Sequence, residues 1–287
     1  MAKLLLPWWV KIIGKFFLSR LPFGYNLWQR LGLFRHGQMD KSGYAIKVFN
    51  SHVEKSGLRN IRGKTLLELG PGDSISTAII AASHGAQAVL VDAGPYVRTD
   101  ISPYFDLVHA LAALGLSPPD LSDCLTINDI LTKCQACYHT EGLHSLGKLQ
   151  TASFDLIFSQ AVLEHVRKKD FLATISQCCR LLKSDGICSH EVDLRDHLDA
   201  GLNNLRFSEQ VWESDFFVNS GFYTNRIRYS EMLTLFAGAN FNVSSSVLDR
   251  WDSLPIGRSA LHTEFAKFSD DDLNVKVFSV LLKLEIL

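Results

Sequence analysis

The sequence has no apolar run long enough to cross a membrane, no internal repeat and no low-complexity linker. Its longest uncharged run near the N-terminus is far shorter than the roughly 20 residues that a membrane-spanning helix needs. No small-residue cleavage pattern follows that run, so a secretory signal is not expected. Because 47% of the 287 residues are hydrophobic, we expect one folded domain with additions rather than a disordered chain.

The sequence also lacks the cysteine spacing of a disulfide framework or a zinc site. Cys134 and Cys137 form a Cys-x-x-Cys pair, but no second pair and no matching pair of histidines follows it at zinc spacing. The six cysteines lie in segments that read as core or helix. We therefore expect reduced thiols, a cytoplasmic protein and no bound metal.

Acidic residues are nearly absent from residues 1–64, which carry twelve Lys or Arg against Asp40 and Glu54. An anionic partner is expected for such a segment: a membrane surface, a polyanionic glycan or a nucleic acid. In residues 1–40 the cations alternate with Trp, Phe and Leu, which is typical of a helix lying in a membrane interface; a helix packed on the core is the alternative. We predict that residues 1–60 are a basic, apolar, helical extension and that residues 61–287 form the main domain.

A glycine turn follows the first predicted strand of that domain. The apolar run at residues 65–69 predicts a buried parallel strand, and Gly70-Pro71-Gly72 follows it before a helical segment. Such a turn brings backbone N–H groups against a ligand. A second strand ends in Asp92, where a carboxylate can accept both hydroxyls of a ribose. A dinucleotide fingerprint would need a third glycine where Ile75 stands, so a dinucleotide fits poorly.

The run Glu68-Leu69-Gly70-Pro71-Gly72 resembles motif I of the class I S-adenosylmethionine-dependent methyltransferases. The strand predicted at 153–159, with Leu163-Glu164-His165-Val166 after it, resembles the family's fourth-strand motif. The run from Leu181 to Gly186, before another strand, also resembles the family, and we expect Gly186 to cap a helix. A narrower resemblance, in residues 193–197 and 223–228, is to bacterial methyltransferases of surface-polysaccharide assembly.

The resemblance implies an α/β fold, a Rossmann-like doubly wound sheet of seven strands with helices on both faces. Six strands would be parallel and the last one antiparallel. The implied cofactor is S-adenosyl-L-methionine. The implied cofactor-binding residues are Glu68, Gly70, Pro71, Gly72, Ser74, Asp92, Ala93, Glu141, Ser159 and Gln160.

Methyl transfer to a hydroxyl requires an aligned acceptor and a group that takes up its proton. The candidate bases at the ends of the fourth and fifth strands include Glu191, and we favour His165 and Asp193. His190 and His197 are kept in reserve. His190, Asp193 and His197 could instead bind a divalent metal, although no second acid cluster accompanies them.

The aromatic and polar residues 195–229 are predicted to be a substrate-cover insertion, in which Arg226 and Arg228 would suit an acidic sugar or a phosphate-bearing carrier. The predicted function is O-methylation of a saccharide or another small polar acceptor, at the cytoplasmic face of a membrane. The alternatives are a nucleic-acid methyltransferase that uses the basic arm and a non-catalytic scaffold. Ser159-Gln160-Ala161-Val162 stands where amino-methylating nucleic-acid enzymes carry Asn/Asp-Pro-Pro-Tyr/Phe, which disfavours the first alternative.

Overall fold

The structure is a computed structural model that describes Val10 and residues 38–285. The predictions made for the basic arm, including contact with a membrane, therefore lie almost entirely outside the described residues. Among the described helices, none combines the length and the hydropathy that crossing a bilayer would require.

One sheet of seven strands forms the centre of the described chain. Its strands are β1 (Thr65–Leu69), β2 (Gln87–Val91), β3 (Cys137–His139), β4 (Phe154–Gln160), β5 (Leu182–Asp193), β6 (Phe241–Arg250) and β7 (Val275–Leu284). They lie in the order β3-β2-β1-β4-β5-β7-β6. Strands β1 to β5 pair in parallel, and β7 is antiparallel to both of its neighbours. The predicted fold class is confirmed.

Helices cover both faces of the sheet. They are α1 (Ser42–Ser56), α2 (Ser76–Ser83), α3 (Ser102–Ala113), α4 (Ile127–Lys133), α5 (Leu143–Lys148), α6 (Lys168–Leu181), α7 (Glu209–Trp212), α8 (Asp215–Val218), α9 (Tyr229–Gly238) and α10 (Asp270–Leu273). Helices α1 to α4 share one apolar core on the first face, and α5, α6 and α9 share a second core on the other. Burial of these two cores is the main stabilising term of the fold.

An ion cluster around the buried Asp155 aligns the starts of three central strands. Asp155, at the start of β4, accepts hydrogen bonds from Lys64 Nζ at 2.8 Å and Lys183 Nζ at 2.7 Å. The backbone N–H of Thr65 donates to the same carboxylate at 2.9 Å. Burial alone would raise the pKa of Asp155, but these donors outweigh it and lower the pKa. The cluster therefore keeps a charged carboxylate inside the fold.

Gly186 lies within β5 and not at a helix end, so the predicted helix cap is wrong. Helix α6 ends at Leu181, and the chain turns directly into the strand. A Cβ on Gly186 would lie 2.9 Å from the carbonyl oxygen of Phe154 and equally close to the side chain of Leu182. The pairing of β4 with β5 shifts register near Phe154. Glycine is required there because two backbones approach closely.

Helix α1 packs on β4, β5, α2 and α3, although the sequence placed it in the N-terminal extension. The division at residue 60 stays a prediction. Residues 195–229, here called the cover segment, follow β5 with short helices and turns. They hold their own aromatic cluster around Trp212, Phe217 and Phe222. The segment leaves the sheet at the carboxyl end of β5, where ligands of open α/β sheets bind.

Candidate functional site

The glycine turn after β1 is closed against the loop that follows β4. Gly70 and Gly72 both have a φ of 68°, a conformation that glycine adopts without steric cost. A Cβ on Gly70 would lie 2.6 Å from both γ carbons of Val162. The turn thus needs glycine for its backbone angle and for the close approach of a side chain.

Asp92 ties the end of β2 to this turn. Its two carboxylate oxygens accept hydrogen bonds from the backbone N–H groups of Gly72, at 2.9 Å, and of Ala93, at 2.7 Å. Burial raises the pKa of Asp92 to about 6, although these two donors oppose the rise. Each oxygen retains a lone pair, so the carboxylate could still accept two hydroxyl donors.

Glu68 is buried beneath the turn, with 3% of its surface exposed. Burial raises the pKa of its carboxyl to about 8, the charge of Asp92 raises it further, and the Thr77 hydroxyl opposes both effects. Glu68 is consequently protonated at neutral pH in the free protein. It can serve as a hydrogen-bond donor that supports the turn.

Glu68 should make the protein less stable as the pH rises. Its pKa in the folded chain, about 8, lies above that of an unfolded glutamate, roughly 4.3. The folded state therefore prefers the protonated form, and its stability relative to Glu68→Gln should fall by at most about 1.4 kcal/mol per pH unit between those values. Urea unfolding of both proteins from pH 4 to pH 9 measures this difference. A constant difference across that range would contradict the assignment.

Ser74 supports the turn from within. Its hydroxyl is buried and lies 3.1 Å from the carbonyl oxygen of Met39 and 2.8 Å from Ser76 Oγ. Pro71 is buried, and Ala93, next to Asp92, is exposed. The predicted role of Ser74 at the cofactor would accordingly be exerted through the shape of the turn.

Glu141 lies just after β3, at the same edge of the sheet as Asp92. Its carboxylate accepts a hydrogen bond from Lys148 Nζ at 2.8 Å, and that bond lowers its pKa. The neighbouring N–H of Gly142 donates to the carbonyl oxygen of Asp92 at 2.8 Å. The structure thus brings Glu141 next to the end of β2, with its side chain exposed and turned toward α5.

Ser159 and Gln160 end β4 with their side chains on opposite faces. Ser159 Oγ lies 2.8 Å from His190 Nδ1, and both side chains are fully buried. Any contact of Ser159 with a cofactor would therefore come from its backbone. Burial lowers the pKa of His190 to about 3, and His52 lowers it further. Because its ring is enclosed and holds a proton only weakly, His190 is not retained as a candidate base.

His165, a favoured candidate base, and His197, a reserve candidate, lie next to each other beyond the ends of β4 and β5. Their rings stack with centroids 4.8 Å apart, and their Nε2 atoms are 3.1 Å apart. His165 Nδ1 lies 3.0 Å from the carbonyl oxygen of Tyr223, so that nitrogen must carry hydrogen. In a neutral ring its Nε2 is then the acceptor, and His197 Nε2 is the donor. The pair could take up one proton and share it.

Asp193, the last residue of β5, is oriented by Arg195. Arg195 approaches the carboxylate with Nη2 at 2.6 Å from Oδ2 and Nε at 2.9 Å from Oδ1. Such a two-pronged pair fixes the carboxylate in one plane. Any proton transfer by Asp193 would have to occur from within this ion pair.

Arg226 and Arg228 are inside the cover segment, so the expectation that they meet an acidic acceptor is corrected. Arg226 lies between the rings of Trp212 and Phe265, 5.4 and 5.0 Å from their centroids. Arg228 is 1% exposed and donates to backbone carbonyl oxygens. The Arg226 guanidinium holds the segment together, and that of Arg228 joins it to the end of β5, to α10 and to β7. Buried cations in short polar runs cannot be told from surface ones by composition.

The sequence missed two buried polar residues near the site. His52, on α1, lies 3.2 Å from Gln160 Oε1 through its Nε2. Glu164 is 2% exposed, and neither carboxylate oxygen has a hydrogen-bond partner among the described residues. Burial raises the pKa of Glu164 well above its usual range. The Leu-Glu-His motif marked Glu164, but nothing local showed that its side chain turns inward.

A metal centre does not form from the described part of the chain. No three His, Cys, Asp or Glu side chains within it are grouped as metal ligands. His190, Asp193 and His197, the proposed ligand trio, do not converge. His190 is buried beside Ser159, and Asp193 is bound to Arg195.

A family model described as a methyltransferase domain matches residues 43–246, and no curated protein is a significant match. Phosphoethanolamine N-methyltransferase 2 of Haemonchus contortus, solved with S-adenosyl-L-methionine, is 16% identical, with a TM-score of 0.45 over 83% of this chain and 52% of that one. This chain thus spans about half of that protein. The YcgJ protein of Bacillus subtilis is 15% identical, with a TM-score of 0.46 over 83% and 98%.

The matched range includes the glycine turn, Asp92 and the ends of β4 and β5. It also covers most of the chain, from α1 to within β6. The residues at the turn fit a nucleoside-bearing cofactor, since they combine an open glycine backbone with a carboxylate that can receive ribose hydroxyls. The chain therefore belongs to the methyltransferase-domain family, whose members are S-adenosylmethionine-dependent enzymes.

Proposed function

We propose that the protein methylates an oxygen atom of a saccharide or another small polar acceptor. The observation that carries this proposal is the set of hydrogen-bonding side chains at the ends of β4 and β5. The strand order reverses between β1 and β4, which is where such sheets bind ligands. A cofactor over β1 and β2 would present its methyl group toward β4. The acceptor would then lie among His165, Glu191 and Asp193, beside Gln160 at the edge of the cofactor site.

The cofactor residues have distinct proposed tasks. Gly70 and Gly72 would admit the methionine part of the cofactor, and Asp92 would hold its ribose. Glu141, at the end of β3, would lie by the adenine. The sulfonium of the cofactor supplies an electrophilic methyl group. The protein must align the acceptor oxygen with that carbon and remove a proton.

Cofactor affinity should depend on the ionisation of Asp92. Ribose hydroxyls donate to the carboxylate and so favour its charged form, whereas the free protein holds the pKa near about 6. Binding of S-adenosylhomocysteine should weaken as the pH falls below 6, by up to tenfold per pH unit. Calorimetric titration from pH 5 to pH 8 measures the effect. Asp92→Asn should bind more weakly and lose the dependence near pH 6. An unchanged dependence would assign it to another group.

The proton acceptor is proposed to be His165 or Asp193. Replacing the true base should lower kcat by about 10²–10⁴-fold and leave cofactor binding within twofold. Asp193→Asn and His165→Gln, each measured for turnover and for S-adenosylhomocysteine affinity, separate the two. His197→Gln, measured in the same way, shows whether His165 acts alone or as part of the stacked pair. Unchanged turnover in a variant removes that residue from the proton transfer.

The acceptor class can be tested with radiolabelled S-adenosylmethionine. A panel would contain neutral and acidic saccharides, phosphoethanolamine and transfer RNA. Label transferred to a saccharide through a base-stable ether linkage is the expected result. Label in transfer RNA would instead support a nucleic-acid substrate. Label in phosphoethanolamine would indicate nitrogen methylation, and either outcome would overturn the proposal.

The membrane-face assignment rests on the composition of residues 1–40 alone. We propose that this segment binds anionic lipid and brings the enzyme to a lipid-linked glycan of surface-polysaccharide assembly, at the cytoplasmic face. Flotation with phosphatidylglycerol vesicles, compared between the full chain and a chain lacking residues 1–37, tests it. Equal flotation of both proteins would contradict the assignment.

A further inference from the structure

A chain of polar side chains crosses the buried interface between α1 and the sheet. His52 is 1% exposed, and its Nδ1 lies 2.8 Å from Ser189 Oγ on β5. Its Nε2 lies 3.2 Å from Gln160 Oε1 at the end of β4. Gln160 Nε2 in turn donates to Glu191 Oε1 at 2.7 Å. These hydrogen bonds thus connect the buried His52, through Gln160, to the carboxylate of Glu191.

The direction of each hydrogen bond in this chain is determined. An ionised Glu191 only accepts, so the amide nitrogen of Gln160 must face it and the amide oxygen must face His52. His52 Nε2 must then carry hydrogen. Burial lowers the pKa of His52 to about 4, and Lys55 lowers it further, so the ring is neutral and Nδ1 accepts from Ser189. One tautomer satisfies every contact.

The series of polar side chains ends at the carboxylate of Glu191. Its side chain is 24% exposed, and its Oε2 also receives Lys55 Nζ at 3.2 Å. Each oxygen therefore accepts one hydrogen bond and keeps a lone pair. The negative charge of Glu191 is near enough to raise the pKa of Tyr44, an effect second to burial. Glu191 thus lies where α1, β4 and β5 meet.

Glu191 is separated from the glycine turn by one strand, β4. It pairs with Gln160 in the sheet, and its carbonyl oxygen accepts the N–H of Ala161 at 2.8 Å. The next residue, Val162, contacts Gly70. A carboxylate at this position, near the end of β5 and beside Gln160, would face an acceptor placed beside the cofactor. Two fixed lone pairs suit neighbouring hydroxyl groups of a sugar ring.

We propose that His52 is a positioning residue that fixes the Gln160 amide and thereby presents Glu191 to hydroxyl groups of the methyl acceptor. This inference rests on the proposed function, since it assigns the acceptor-binding carboxylate of that same site. A histidine that only filled space would not need a defined tautomer. With hydrogen on Nε2, His52 donates to Gln160 Oε1 and so helps to hold the amide with its nitrogen toward Glu191.

The test uses the full chain with S-adenosylhomocysteine and methyl glycosides of glucose, galactose and glucuronic acid as probes. Saturation-transfer NMR measures glycoside binding, and calorimetry measures the cofactor. We expect Glu191→Gln and His52→Leu to weaken glycoside binding at least tenfold and to change S-adenosylhomocysteine affinity less than twofold. Phe49→Leu is the matched control, since Phe49 is buried on the same helix and lies outside the polar chain. It should bind glycosides like the natural protein.

The ¹⁵N spectrum of the histidines provides a second readout that needs no acceptor. We expect His52 to be neutral at pH 7 with hydrogen on Nε2, and to keep that tautomer in Glu191→Gln. Hydrogen on Nδ1, or equal glycoside binding by His52→Leu and Phe49→Leu, would overturn the inference. It would also be overturned if the natural protein bound cofactor but none of the glycosides. Loss of cofactor binding in the natural protein would instead count against the proposed function.

Discussion

Gly70→Ala is expected to weaken binding of S-adenosylhomocysteine at least 100-fold. The added Cβ would lie 2.6 Å from both γ carbons of Val162, closer than carbon atoms can approach. The φ of 68° at this position adds strain of about 1 kcal/mol or more. The turn must move, and with it the N–H of Gly72 that Asp92 holds. A 100-fold loss corresponds to about 2.7 kcal/mol.

Two further variants separate the contact with Val162 from the backbone angle. Gly115 has a φ of 78°, and a Cβ there meets nothing within 4 Å. Gly115→Ala should therefore cost some stability and leave cofactor affinity unchanged. Adding Val162→Ala to Gly70→Ala removes both γ carbons and should restore part of the binding. Calorimetry measures the S-adenosylhomocysteine affinity of all these proteins, and thermal unfolding checks that each one is folded. Tight binding by Gly70→Ala would show that the ligand does not use this turn.

The central sheet could be predicted because its signals are local. The run that forms β1 has the predicted bounds, Thr65–Leu69, since apolar composition and flanking turns mark a buried strand. The glycine turn and Asp92 were found for a similar reason. Their spacing in sequence is set by one strand-helix-strand unit, so their proximity follows from the fold class alone.

The acceptor side could not be predicted in the same way. His52 and Gln160 are 108 positions apart, and Ser189 is 137 positions from His52. Their meeting depends on how α1 packs across β4 and β5, which no local pattern encodes. Gly186 was misread for a related reason. The composition of its turn suited a helix cap, whereas the close approach of β4 and β5 is a tertiary requirement.

Arg228 was misread as a substrate contact, and its actual position predicts a large effect on stability. Its guanidinium donates to the carbonyl oxygens of Leu194 at 3.2 Å, Leu273 at 3.0 Å and Val275 at 3.1 Å. These bonds join the end of β5 to α10 and to the start of β7. Burial lowers the pKa of Arg228 to about 10, and Asp272 opposes that effect. The group therefore stays charged at neutral pH, and its bonds are charge-assisted.

Arg228→Met should lower the free energy of unfolding by about 3–5 kcal/mol, because it leaves several buried carbonyl groups without their donor and removes the positive charge near the buried Asp272. Arg228→Lys should recover little, since one ammonium cannot reach carbonyls that a planar fork spans. Arg250→Met is the matched control: Arg250 is exposed and donates to the Asp271 carbonyl at 2.6 Å. It should change stability by less than about 1 kcal/mol. Urea unfolding measures all three, and equal losses from Arg228→Met and Arg250→Met would mean that the buried fork does not hold the cover segment to the sheet.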